Sequence, residues 1–76
     1  MYTEYPERYK MLGLKIAYYR KKSGMTQEQF AENISKSVNF IAKVEGPGSI
    51  RGVSLETLFK MADILNISPT KFLEED

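Results

Sequence analysis

A chain of 76 residues with 42% apolar content can bury one modest core, because a domain of this size removes only about 60% of its unfolded surface from water. It has no cysteine and no histidine, which excludes a disulfide framework and takes away the thiolate and imidazole ligands of structural zinc; no metal and no other cofactor is expected. The formal net charge is only +1, but residues 1–51 hold nine basic and five acidic side chains while residues 52–76 hold two and five, a polarity that suits a basic face toward phosphate and an acidic end turned away from it.

Packed helices, or further burial in an oligomer, must supply the stability of a chain this short. The opening MYTEYPERYK has no long apolar run, and no apolar stretch approaches the roughly 20 residues that span a bilayer. A cytoplasmic protein without membrane contact is expected.

Pro6 suits the first turn of a helix, and Glu7 complements the positive end of its dipole. From there Tyr9, Leu12, Ile16 and Tyr19 recur at three- and four-residue spacing, and Lys21, Lys22, Ser23 and Gly24 close the element, so helix 1 is expected over 6–22. Thr26 followed by Gln29 forms a capping-box pattern that opens a short helix 2 over 27–34, with Phe30, Ala31 and Ile34 inward. Ser37 caps helix 3 over 37–45, in which Val38, Ile41 and Val44 share a side. GPGSIRG at 46–52 cannot continue a helix and reads as a loop. Ser54 caps helix 4, whose apolar face holds Leu55, Leu58, Phe59, Ala62 and Leu65 and which Asn66 ends. Ser68 and Pro69 begin a last short helix through Phe72 and Leu73, followed by the acidic tail 74–76. With no strand and no internal repeat, the expected fold is all-α, built of five short helices.

Residues 27–45 then form two short helices joined by a tight connection, with small Ala31 in the first and branched Ile41 and Val44 in the second, as a helix-turn-helix needs for two helices that cross closely. Over residues 12–73 the chain resembles the xenobiotic-response-element or Cro/phage-repressor-like helix-turn-helix regulators. The resemblance is carried by LGLKIAYYRKKSGMTQEQFAENI at 12–34, SVNFIAKVEG at 37–46 and SLETLFKMADILNISPTKFL at 54–73. Arg20, Gly24, Thr26, Gln27 and Ala31 match the family's lead-in pattern position for position. Residues 1–11 lie outside it as an N-terminal extension into helix 1. Their tyrosines Tyr2, Tyr5 and Tyr9 lack the arginines of a minor-groove arm and are expected to pack on the body or on a partner subunit.

The resemblance implies a phage-repressor-like domain that binds double-stranded DNA, with the second helix of the motif in the major groove. Gln27 matches the family's backbone-gripping glutamine, the bland alternative being a solvated cap residue. Ser37, Val38, Asn39 and Lys43 match the outward, base-contacting positions. Asn39 suits adenine, Lys43 suits guanine or a phosphate, and Val38 either meets a thymine methyl or packs inward. Lys21, Lys22, Lys36 and Arg51 are the remaining phosphate candidates. Arg20 and Glu45 match a largely buried ion pair that joins helix 1 to the end of helix 3, which makes Arg20 structural despite its basic neighbours.

Three departures stand out. Ser35 occupies the turn position where the family has glycine, Lys36 stands where an apolar residue is common, and the loop before Leu55 is long, with Arg51 its only charge. The expectation is a small dimeric regulator, a repressor, that reads an inverted-repeat operator. Ile67, Phe72 and Leu73 are the expected dimer surface. The alternative is a protein-interaction module of the same fold, such as an antitoxin or anti-repressor partner. No enzymatic activity is expected, since no carboxylate pair is recognisable and GPGSIRG lacks the lysine and strand context of a nucleotide site.

Overall fold

Local capping chemistry sets the ends of most elements in the computed structural model, which describes residues 3–74. Tyr2 and the tail residues Glu75 and Asp76 lie outside the described residues. Helix α1 spans Pro6–Lys22 with the proline in its first turn. In α2, Gln27–Asn33, the capping box is complete: the Gln29 N–H donates to Thr26 Oγ1 at 3.1 Å, and the Thr26 N–H donates to Gln29 Oε1 at 2.9 Å. The Ser37 hydroxyl accepts from the Phe40 N–H at the start of α3, Val38–Glu45, and the Ser54 hydroxyl accepts from the Thr57 N–H at the start of α4, Leu55–Leu65. These four helices lie within one residue of expectation. The fifth differs, because Pro69–Phe72 is a single 3₁₀ turn.

Three helices end in the same way. The N–H of Met25, Lys36 or Ile67 reaches back to the carbonyl of Arg20, Ala31 or Ala62, while the N–H one residue earlier bonds Lys21, Glu32 or Asp63. This paired closure needs a left-handed residue, supplied by Gly24 at φ 79°, Ser35 at φ 59° and Asn66 at φ 57°. Glycine and asparagine suit that conformation; serine does not, since a Cβ there costs about 1–2 kcal/mol. Ser35→Gly should therefore raise the unfolding free energy by about 0.5–1 kcal/mol, after allowance for glycine's greater freedom in the unfolded chain. A urea melt checks this, and a lowered midpoint would contradict it.

One core fills the space between the helices. Leu12 and Ile16 of α1 join Phe30, Ala31 and Ile34, then Ile41 and Val44 of α3, and Leu58, Met61, Ala62 and Leu65 of α4. The α2 helix packs on α3, α1 packs on α3 and on the 3₁₀ turn, and that turn packs on α4. Gly13, buried in α1, makes the first of these α1 contacts possible: a Cβ added there would run into the Val44 carbonyl oxygen. Two backbones thus meet where a side chain would hold them apart.

The inward faces of α3 and α4 differ from the expected stripes. Val38 is 43% exposed while Ile41 and Val44 are buried. Leu55 and Phe59 also face outward, and Met61 takes the inward position instead. The apolar side chains of α4 cover more than one face, so packing against the other helices decides which of them is buried. Phe72, 1% exposed, lies in the core with its ring edge-on to Tyr19 at 6.1 Å between centroids. It is therefore unavailable as a subunit contact. Ile67 packs partly against the core, and only Leu73 of the three expected dimer residues stands out, at 67% exposure. No helix among the described residues is long and apolar enough to cross a membrane.

Candidate nucleic-acid interface

The site begins with a buried charge pair. Arg20 Nε lies 2.7 Å from Glu45 Oε2 and Nη2 lies 2.9 Å from Oε1, a two-pronged contact whose side chains are 8% and 5% exposed. The remaining terminal nitrogen of Arg20 donates to the Met25 carbonyl at 2.7 Å, and the Gln27 amide donates to Glu45 Oε1 at 3.1 Å. The end of α1, the start of α2 and the end of α3 are thereby tied at one point. Among the described residues no buried side-chain polar atom lacks a hydrogen-bond partner, which is the condition under which a buried ion pair can be kept without a large penalty.

Gln27 has a partner within the protein beside the phosphate expected of it. Its side chain is half-buried and one amide hydrogen is engaged with Glu45; a second amide hydrogen and the carbonyl oxygen are left for other partners. The glutamine reports the position of α3 to the start of α2 before any phosphate arrives.

With Ile41, Val44 and Glu45 drawn inward and Phe40 half-buried, helical geometry turns four residues of α3 outward. Val38, Asn39, Ala42 and Lys43 are all exposed, and pairs four residues apart stack along one side of a helix. This outward strip offers an apolar surface at Val38 and Ala42 beside an amide and an ammonium at Asn39 and Lys43. Ser37 caps the helix with its oxygen, and its hydroxyl proton stays free to donate. A strip of this kind matches base edges in a major groove, where amides, cations and small apolar groups discriminate.

The cations expected to meet DNA have no carboxylate partners among the described residues. Lys21, Lys22, Lys36, Lys43 and Arg51 are exposed, and among the described residues none of them is ion-paired; the exposed pairs are Lys10–Glu7 and Lys71–Glu74. Lys22 lies over the Tyr18 ring at 5.7 Å. The loop after α3 is folded by a turn in which the Ser49 N–H bonds the Gly46 carbonyl at 3.0 Å. Pro47 and Gly48, the latter at φ 74°, take the two central places that such a turn prefers. The loop carries Arg51 back beside α3, where Lys43, Pro47, Ser49, Ile50 and Arg51 line a shallow depression.

Two structural residues escape a reading based on charge and periodicity. Gly13 sits in a helix interior, where glycine costs up to about 1 kcal/mol relative to alanine and so calls for a packing reason. Phe40 is an aromatic in an otherwise outward run, half-buried against the core.

Residues 16–72 match the Cro/C1-type helix-turn-helix family model, HTH_3. The chain belongs to that family. As a helix-turn-helix protein of this type it is a DNA-binding regulator. Solved structures show the same fold. The restriction-modification controller protein C.AhdI from Aeromonas hydrophila superposes with a TM-score of 0.81 at 24% identity, covering 92% of this chain and 99% of its own. The clp gene regulator ClgR from Corynebacterium glutamicum gives 0.79 at 24% identity, with 87% and 68% covered. A hypothetical transcription factor, NHTF, from Neisseria gives 0.75 at 22% identity, with 86% and 72% covered. No curated protein sequence matches the chain significantly.

Proposed function

We infer that this helix-turn-helix protein is a sequence-specific transcriptional repressor that binds an inverted-repeat operator as a homodimer, with α3 in the major groove. The observation that carries this is the outward strip Val38, Asn39, Ala42 and Lys43 on a helix whose end is held by Arg20 and Glu45. Specificity needs base-reading side chains on a rigid mount, and both are present. Lys21, Lys22, Lys36 and Arg51 add the sequence-independent attraction to phosphate. Two copies would read half-sites about 34 Å apart, one turn of the duplex.

The dimer contact is assigned to the outward side of α4. Leu55 and Phe59, four residues apart and exposed, lie on that side, and exposed Leu73 follows the turn that packs on α4. Large exposed apolar side chains on a small domain mark a place where a partner removes them from water. Similarity to the restriction-modification controller protein, 99% of whose chain is matched, supports the regulator reading. One observation favours the second reading, a protein-interaction module: Met11, Leu14 and Tyr18 are also exposed on α1.

Fluorescence anisotropy against a pool of random duplexes at several salt concentrations, followed by sequencing of the bound fraction, tests the assignment. Binding should be strong near about 50 mM salt and fall steeply as salt rises. Lys21→Ala with Lys22→Ala should lower the salt slope by about one unit per lysine without changing the sequences recovered, whereas Asn39→Ala should change those sequences. Failure to bind any duplex at low salt would leave the protein-interaction reading in its place.

A further inference from the structure

We propose that Phe40 is a positioning residue that holds Lys36 and Arg51 as a pre-set pair of phosphate-binding cations beside the recognition helix, a role that rests on the DNA-binding reading above. Lys36 Nζ lies 5.4 Å from the centre of the Phe40 ring, and the Arg51 guanidinium carbon lies 5.5 Å from the same centre. The two cations come from opposite ends of α3, one from the turn before it and one from the loop after it. A single ring gathers both.

The electron-rich face of an aromatic ring attracts a cation within about 6 Å, so each head group has a preferred resting place rather than a full range of rotamers. Long basic side chains lose considerable freedom when they grip a phosphate, and ordering them in advance removes part of that cost from binding. Neither cation is ion-paired among the described residues, so its charge is left for an incoming anion. The Arg51 side of the arrangement is braced: the Arg51 N–H donates to Ser49 Oγ at 3.2 Å, and the Gly46–Ser49 turn fixes the path of the loop. Lys43 lines the same depression as Arg51, which sets a third cation close to the pair. Lys36 thus has a reason to stand at an apolar position of the motif, since its ammonium rests over the Phe40 ring while the residue stays exposed.

The test compares Phe40→Leu, which keeps an apolar side chain and both cations, with Phe40→Tyr, which keeps the ring. Measured well below the melting temperature of each variant, Phe40→Leu should weaken duplex binding about fivefold with an unchanged salt slope, and Phe40→Tyr should bind as the wild type does. In a Lys36→Ala, Arg51→Ala background Phe40→Leu should cause no further loss. A purely structural role would give the same loss in both backgrounds and would overturn the proposal, as would Phe40→Leu binding as tightly as wild type. In the free protein, the proton resonances of the Lys36 and Arg51 side-chain ends should be shifted upfield by the ring and should return to ordinary positions in Phe40→Leu; their lying at ordinary positions in the wild type also overturns it. Absence of duplex binding by the wild-type chain would defeat the DNA-binding reading and the proposal together, whereas normal wild-type binding with an inert Phe40→Leu defeats the proposal alone.

Discussion

Replacing Glu45 with alanine should cost about 3–5 kcal/mol of folding stability, the range seen when one partner of a buried ion pair is removed. A domain of this length has on the order of 0.05–0.15 kcal/mol per residue to lose, so the change takes much of the total. The reason lies in what the alanine would strand. The Arg20 guanidinium would keep its bond to the Met25 carbonyl but lose both bonds to the carboxylate, and the Gln27 amide would lose its acceptor as well. A charge left buried without a counterion is far more costly than a neutral group in the same place.

The same geometry tells which rescue should work. Exchanging the two charges would set a carboxylate at position 20 against the Met25 carbonyl oxygen, where a donor now sits, so a charge-swapped double variant should recover only part of the loss. Replacing the pair by well-packed apolar residues, Arg20→Met with Glu45→Leu, should recover most of it, because no desolvated charge remains. Such a variant should nevertheless bind duplexes less selectively, since α1, α2 and α3 would no longer be tied at a single point. Thermal or urea melts read the stability, and sequencing of bound duplexes reads the selectivity. A Glu45→Ala variant as stable as wild type would show that the pair holds nothing together.

Gly13→Ala should be the second large effect, a destabilisation of about 2 kcal/mol. Alanine improves helix propensity by up to about 1 kcal/mol, but here its Cβ meets the Val44 carbonyl oxygen, a backbone atom that cannot swing aside. Relief requires α1 and the end of α3 to separate, and overpacking of a close contact costs typically about 1–3 kcal/mol, more where backbone must move. Because Val44 adjoins Glu45, that separation also stretches the Arg20 contact. The urea midpoint should fall, and a rise, as propensity alone would give, would contradict the close approach of the two helices.

Helix boundaries were legible because they are decided locally. Thr26 with Gln29, Ser37 and Ser54 each satisfy N–H groups within three residues of themselves, so no knowledge of the tertiary fold is needed to place them. The left-handed strain at Ser35 was equally local. Facing was harder to read. In α4 the residues Leu55, Leu58, Phe59, Met61, Ala62 and Leu65 surround too much of the helix for periodicity to choose among them, and the choice of Met61 over Phe59 comes from the helices packed against it. The last turn shows the same limit: a 3₁₀ geometry advances a residue by a larger angle than an α-helix does, and Phe72 is in the core.

Within the site, residue types were legible and their couplings were not. Asn39 and Lys43 stand out on α3 because they match the outward positions of the family's recognition helix. That Arg20 faces Glu45 across 25 residues comes from family resemblance and not from any local pattern. That Gln27 turns to the same carboxylate, and that Phe40 lies under both Lys36 and Arg51, depend on how the loop and the turn return to α3. Such contacts are properties of the folded chain.

The most direct test is an amide-resolved titration of the isotopically labelled protein with a duplex selected from the bound pool. Binding through the helix-turn-helix should move the backbone resonances of Gln27, Val38, Asn39, Ala42 and Lys43 most, with smaller shifts at Lys21, Lys22, Lys36 and Arg51. Shifts confined to Leu55, Phe59 and Leu73, or to Met11, Leu14 and Tyr18, with α3 unmoved, would contradict the assignment of α3 as the helix that reads DNA.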